Sequence, residues 1–400
     1  MRILFVNKLY APDVAGGAEI TLANLAAGMQ ARGHEVRVAT TTAQTHNVDE
    51  DVAGIQVTRV PLRNIFWHHG GARHGALKRM LWHARDRNNA AMGSSLRKVI
   101  EEFDPDVIAF HNISGFSSAA WKVAFDLGKP AVQVLHDYYN LCPKSQMFRA
   151  GKNCESPCTQ CKLFRSGRAE LSNGLKAVIG VSHHVLNTHV ENGLFSTVPV
   201  RKVVNNAWPV VMPASRAYGD TATTFGFIGA LAEWKGVRRL LEAFQRVAKQ
   251  PGVGPVKLLL AGTGEPAYEA ELRATYGSDR IEFLGRVSPE SFYRRIDVSV
   301  VPSLWNDPLP SVVFESLLSG VAVIGARRGG IPEMVQDGVN GLLYDPDLPT
   351  ALEQCMLRLA TEPGLARSFG QQAKSGSTHF ADMERVVLEH LAVCEEAAQK

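Results

Sequence analysis

The 400-residue chain lacks any uncharged apolar run near the roughly 18 to 20 residues that a membrane-spanning helix needs. Its N-terminus offers only ILFV before Asn7 and Lys8, too short an apolar core for a signal peptide, so the expected location is cytoplasmic. Charge of one sign is lacking too. The 43 basic and 39 acidic residues leave a formal charge of +4, too even to argue for a nucleic-acid partner. A dinucleotide G-x-G-x-x-G pattern is missing from the first strand-to-helix turn, which argues against an NAD domain. Cysteines number only six, and in a reducing compartment they point to metal binding before disulfides.

What is present is the composition of a soluble globular protein, 45% hydrophobic and 20% charged, at a length that suits two domains. The first half reads as a strand at Arg2 to Asn7, a loop with Gly16 and Gly17, and a helix from about Ile20 to Arg32. A further strand, His34 to Thr41, makes this a doubly wound opening. Buried strands at Asp104 to Phe110 and Ala131 to Leu135 then end in polar pairs, His111–Asn112 and His136–Asp137. Such strand ends are where this architecture places its chemistry.

Between them, residues 59–98 carry nine basic residues against one acid, Asp86, with Phe66, Trp67, Leu77, Met80, Leu81 and Trp82 interleaved. That mixture suits either an anionic membrane surface or an anionic acceptor, or a solvated helix packed by its Trp and Leu face. Cys142, Cys154, Cys158 and Cys161 follow at C-x(11)-C-x(3)-C-x(2)-C spacing in a Pro/Gly/Ser-rich segment. The two short gaps suit a structural zinc site; a reduced or disulfide-linked loop is the other reading.

The β-α rhythm restarts at Phe225, with Gly229, Lys235 and Gly262 in its turns. The densest chemistry lies from Ser303 to Val335. A strand at Val298 to Val301, a turn with Pro308 and Pro310, a helix from about Ser311 to Ser319 and a strand at Val321 to Ile324 form a β-loop-α-β unit. The unpaired N–H groups near Ser311, Val312 and Val313 suit a phosphate, and Asp307 and Glu315 frame that helix start. Glu315 can accept bonds from ribose hydroxyls, and Gly329 and Gly330 allow another backbone to come close.

The acid, seven residues, acid pattern from Asp307 to Glu315, followed by SGVAVIGARRGGIPEMVQDGVNGLLYDP, resembles the donor signature of glycosyltransferase family 4, the retaining GT-B enzymes. FIGALAEWKGVRRLLEAF resembles that family's Gly-Arg…Lys-Gly segment, and the Gly16–Gly17 loop with Glu19 its N-terminal glycine loop. Two positions depart from the pattern: Asp307 stands where the family has Glu, and Ala230 where it has Arg. The resemblance implies two Rossmann-like domains facing across a cleft, 1–212 and 213–378, with a helix at 379–400 crossing back and a Cys-rich insertion at 142–161.

It further implies transfer of a sugar from a UDP- or GDP-sugar to a glycan or lipid-linked acceptor, without a catalytic cofactor. Lys235 would face the diphosphate, Glu315 the ribose, Asp307 a sugar hydroxyl and His136 the sugar's 6-position, and Gly16, Gly17, Gly229, Gly262, Pro310, Ser311 and Val312 would complete the donor site. The missing cation at residue 230 leaves Arg286, Arg327 and Arg328 as substitutes. It also leaves open a nucleotide-sugar-binding scaffold, and the fold alone leaves open a sugar-nucleotide epimerase.

Overall fold

In a computed structural model the described residues are 1–67, 69, 74–207 and 223–399. The chain forms two compact units. One comprises Met1–Met147, Cys154–Trp208 and Met383–Lys400; the other comprises Phe148–Asn153 and Pro209–Asp382. The domain junction expected between residues 212 and 213 falls outside the described residues.

The first unit is built on an eight-stranded sheet. Its strands are β1 (Arg2–Val6), β2 (Glu35–Thr42), β3 (Val48–Val52), β4 (Ile55–Pro61), β5 (Val107–Phe110), β6 (Ala131–Leu135), β9 (Ala177–Gly180) and β10 (Val200–Val203). The order is β10-β9-β6-β5-β1-β2-β4-β3, parallel throughout except for the β3–β4 pair. Strands such as RILFV and AVQVL lack polar alternation because helices cover both faces of a parallel sheet. The β3–β4 hairpin at the edge turns through Ala53 and Gly54, both at positive φ (54° and 85°), as a two-residue hairpin loop requires. Ala53 gives no sequence signal for that conformation.

The helix Met383–Gln399 belongs to this unit and buries Val386, Val387, Leu391 and Val393 in its core with Leu22, Leu25 and Met29 of α1 (Gly17–Gln30). The helix α2 (Ala76–Arg85) is a different case, because only Trp82 of its ten residues is buried. Among the described residues no helix is long and apolar enough to cross a membrane.

The second unit carries six parallel strands, β11 (Thr223–Ile228), β12 (Val256–Ala261), β13 (Ile281–Gly285), β14 (Val298–Val301), β15 (Ala322–Ala326) and β16 (Gly341–Tyr344), in the order β13-β12-β11-β14-β15-β16. It also holds a short hairpin, β7 (Phe148–Arg149) with β8 (Lys152–Asn153), taken from the middle of the cysteine-rich segment. Each sheet reverses its strand order once, between β1 and β5 and between β11 and β14. Within each sheet, the loops leaving the carboxyl ends of those two strands flank the crevice where an open α/β sheet binds its ligand.

Candidate active site

In the second unit the crevice lies between the turns that leave β11 and β14. The chain after β11 makes one 3-10 turn, Glu233–Lys235, and Gly236 starts the next helix at φ 76°. Lys235 Nζ reaches Asp307 Oδ2 at 2.5 Å, on the loop after β14. It also lies 5.5 Å from the centroid of the Trp305 ring. Asp307 is buried while Lys235 remains partly exposed, so one side of the ammonium faces out. Lys235 and Asp307, given separate roles by the sequence pattern, therefore form one charged pair.

Several contacts fix the Asp307 loop. Leu304 N donates to Trp234 O at 2.9 Å, and Gly330 N donates to Asp307 O at 2.8 Å. Gly329 sits at φ 55°, and a Cβ there would collide with the Asp307 carbonyl oxygen. The backbone approaching this glycine pair is thus the acid loop itself. From β8, the Asn153 amide donates to Leu304 O at 2.7 Å and accepts from Asn306 N at 2.8 Å. Sequence reasoning missed Asn153, since nothing in the pattern marks the last residue of a two-residue strand as a partner of a loop 153 residues away.

The helix Ser311–Leu318 starts at Pro310 with no side-chain cap. Its first N–H groups, at Ser311 and Val312, have no intrahelical acceptor by position and carry the positive end of the helix dipole. Glu315 is buried one turn on and accepts from the Tyr293 hydroxyl at 3.1 Å. Burial, with the Glu315 charge beside it, holds the Tyr293 phenol well above its ordinary pKa, so it stays a donor. Gly229 and Gly262 close the floor: Gly262 has φ 121°, and a Cβ on it would strike the Gly229 carbonyl oxygen. Of the substitute cations, Arg327 pairs with Asp337 and Arg328 with Asp347, both at 2.7 Å. Arg286 is exposed one residue beyond β13 and forms no ion pair among the described residues.

In the first unit a polar chain runs along the strand ends. Gly16 N donates to Glu19 Oε2 at 2.9 Å, which closes the start of α1, and Asn7 Nδ2 donates to Glu19 Oε1 at 3.4 Å. Asn112 N donates to Asn7 Oδ1, and Asn112 Nδ2 to Asp137 Oδ2, each at 2.8 Å. His111 Nδ1 and His136 Nε2 share a hydrogen bond of 2.8 Å. Burial, then the neighbouring His390 and Lys8, brings His136 down to about 3, so its imidazole is neutral at pH 7. Burial lowers His111 as well and raises Asp137.

The lone acid of the basic segment, Asp86, is fully buried. It accepts from Tyr139 Oη at 2.6 Å and Gly115 N at 2.8 Å, with Arg165 at 3.7 Å. Arg59 is buried against Glu50, Arg97 pairs with Asp126, and Arg73 lies outside the described residues. The Cys158 and Cys161 sulfurs are 3.6 Å apart, and Cys161 hydrogen-bonds Cys142. That bond, with backbone N–H groups of Met147, Lys144 and Gln146, lowers Cys142 to about 6. No group of three or more His, Cys, Asp or Glu among the described residues is placed to hold a metal ion.

Two doubly wound units, each with its polar loops at a reversal in strand order, are the architecture of the GT-B fold, and comparison with known proteins gives the enzyme class. Residues 222–362 match the glycosyl transferases group 1 model, and residues 15–200 match the Glycosyltransferase Family 4 model. The chain is a transferase enzyme belonging to glycosyltransferase family 4, of the group 1 kind. It is 26% identical to an "Uncharacterized 42.6 kDa protein in cps region" of Klebsiella pneumoniae, over 84% of this chain and 87% of that one. An uncharacterized glycosyltransferase of Methanocaldococcus jannaschii is 23% identical over 94% and 93%. Among solved structures, Anabaena HepE in complex with UDP and glucose superposes with a TM-score of 0.70 at 19% identity, covering 98% of each chain.

Proposed function

We propose that this enzyme transfers a sugar, with retention, from a UDP- or GDP-sugar to a glycan or lipid-linked acceptor. The observation that carries the reading is the Lys235–Asp307 pair beside the open start of the Ser311–Leu318 helix. That arrangement offers one cation, a set of N–H donors and two acids to a sugar diphosphate. HepE, whose fold this chain shares, holds UDP and glucose in one structure and UDP-glucose in another, which supports a nucleotide-sugar donor.

In this reading the diphosphate leaves toward Ser311 and Val312 with Lys235 beside it. Glu315, oriented by Tyr293, takes the ribose, and Asp307 takes a sugar hydroxyl while holding Lys235 in place. The neutral His136 exchanges a hydrogen bond with the sugar's 6-position without adding charge. The bond from the sugar's anomeric carbon to the phosphate oxygen breaks as the bond to the acceptor oxygen forms on the same face. The acceptor's proton passes to the departing phosphate oxygen. Of the three substitute cations, Arg286 alone forms no ion pair among the described residues, which favours it for the role left open by Ala230.

A calorimetric screen of UDP- and GDP-sugars tests the reading. One donor should bind and be turned over with an acceptor, and binding by none of them overturns it.

A further inference from the structure

The helix α2 keeps an amphipathic stripe on the outside. Leu77, Met80 and Leu81 are 64%, 47% and 47% exposed, and Ala84 is exposed with them. Their spacing, i, i+3, i+4 and i+7, puts them on one face about 100° wide at 100° per residue. The opposite face is anchored by Trp82, which is 4% exposed and donates from Nε1 to Phe66 O at 3.1 Å. A helix held by one tryptophan, with its larger aliphatic side chains turned outward, gains nothing from that stripe within its own fold.

The charge around the stripe decides what covers it. Lys78 and Arg85 lie along one margin, Arg79 is exposed further round, and none of the three forms an ion pair among the described residues. Helix α2 contains no acid, and Asp86, immediately after it, is fully buried in its bonds to Tyr139 and Gly115. The surface is therefore apolar at its centre and cationic at its edge. A protein partner of matched shape would need an apolar groove with an acidic rim, whereas an anionic lipid surface supplies both features over a short, flat helix.

We propose that α2 is a membrane-docking helix, laying Leu77, Met80 and Leu81 among the acyl chains of an anionic bilayer with Lys78 and Arg85 on its headgroups. The inference does not depend on the identity of the donor. It also differs from insertion, because ten residues span only about 15 Å.

Co-sedimentation of the full chain with vesicles tests it, using phosphatidylcholine alone and an anionic mixture with phosphatidylglycerol. The chain should pellet with the anionic vesicles, more weakly as salt is raised. The double change Leu77→Gln, Leu81→Gln should lower partitioning about tenfold or more. Lys78→Glu with Arg85→Glu should remove the preference for anionic lipid. All four side chains are exposed, so thermal midpoints should match the unaltered chain, which separates docking from misfolding. Failure of the unaltered chain to pellet with anionic vesicles overturns the proposal, as does unchanged binding by both variants. Self-association in solution that Leu77→Gln, Leu81→Gln abolishes would assign the stripe to a second copy of the chain and equally overturn it.

Discussion

Lys235 Nζ lies 2.5 Å from Asp307 Oδ2, joining the turn after β11 to the loop after β14 across 72 residues of sequence. The pair places the only lysine of that turn at the reversal point of the sheet and keeps its charge partly balanced before any donor arrives. An acid that holds a cation in place loses its value when the cation is removed.

Lys235→Ala and Asp307→Ala are therefore expected to be non-additive. Lys235→Ala should lower kcat by about 100-fold or more, the usual scale for a lost electrostatic contact to a leaving group. The double variant should lose less than the product of the two single losses, the remaining deficit being Asp307's own contact with the sugar. Steady-state kinetics on all three decides this, and full additivity would mean the two side chains act separately.

Asn153→Ala removes both hydrogen bonds to the loop before Asp307. The expected result is up to about a 30-fold loss in donor kcat/KM, from two bonds worth roughly 1 kcal/mol each. Hydrogen exchange at the Asn306 amide should quicken in parallel. Normal exchange there would show that the loop does not need β8.

Asp86→Ala leaves Arg165 and Arg168 buried around Tyr139 without their carboxylate. Breaking a buried charged cluster costs about 3 to 5 kcal/mol, so urea unfolding should show a large drop in midpoint. A change below about 1 kcal/mol would contradict the role given to this acid.

Stability should fall as pH drops from 7 toward 5. Burial brings His136 to about 3, and His83, His189 and His390 to about 4. The unfolded chain takes up these protons near pH 6.5 while the folded one does not. Their contribution is thus complete above that value and is lost as pH falls toward the folded values. Asp86 and Asp137, raised by burial, pull the other way. A thermal midpoint that holds steady or rises on acidification would show that the carboxylates dominate, and His83→Gln should flatten the slope.

The GT-B assignment rested on the resemblance of the Asp307–Glu315 segment to family 4. The β-α order of two doubly wound halves was legible in the sequence because long buried strands, glycine-ended helices and turn residues are local signals. Glu315 and the helix after Pro310 were legible for the same reason. The β3–β4 hairpin was not, since Ala53 adopts positive φ only because the strands on either side impose it. The cysteine spacing was visible, but not that Phe148–Asn153 leaves the cysteines for the second unit while the free Cys142 and Cys161 thiols hydrogen-bond in the first. Arg327 and Arg328 looked available in the sequence and are engaged by Asp337 and Asp347, because ion pairs form across loops whose ends only folding brings together.

The sequence by itself determined the order of strands and helices, the candidate phosphate-binding helix start and the two acids eight positions apart, all set by short-range periodicity and backbone chemistry. The tertiary structure alone decided that Lys235 faces Asp307, that Asn153 holds the acid loop, that Asp86 is buried and that the apolar stripe of α2 stays exposed. Those are long-range contacts and differences in burial, and no spacing along a chain states which distant groups will share one dehydrated space.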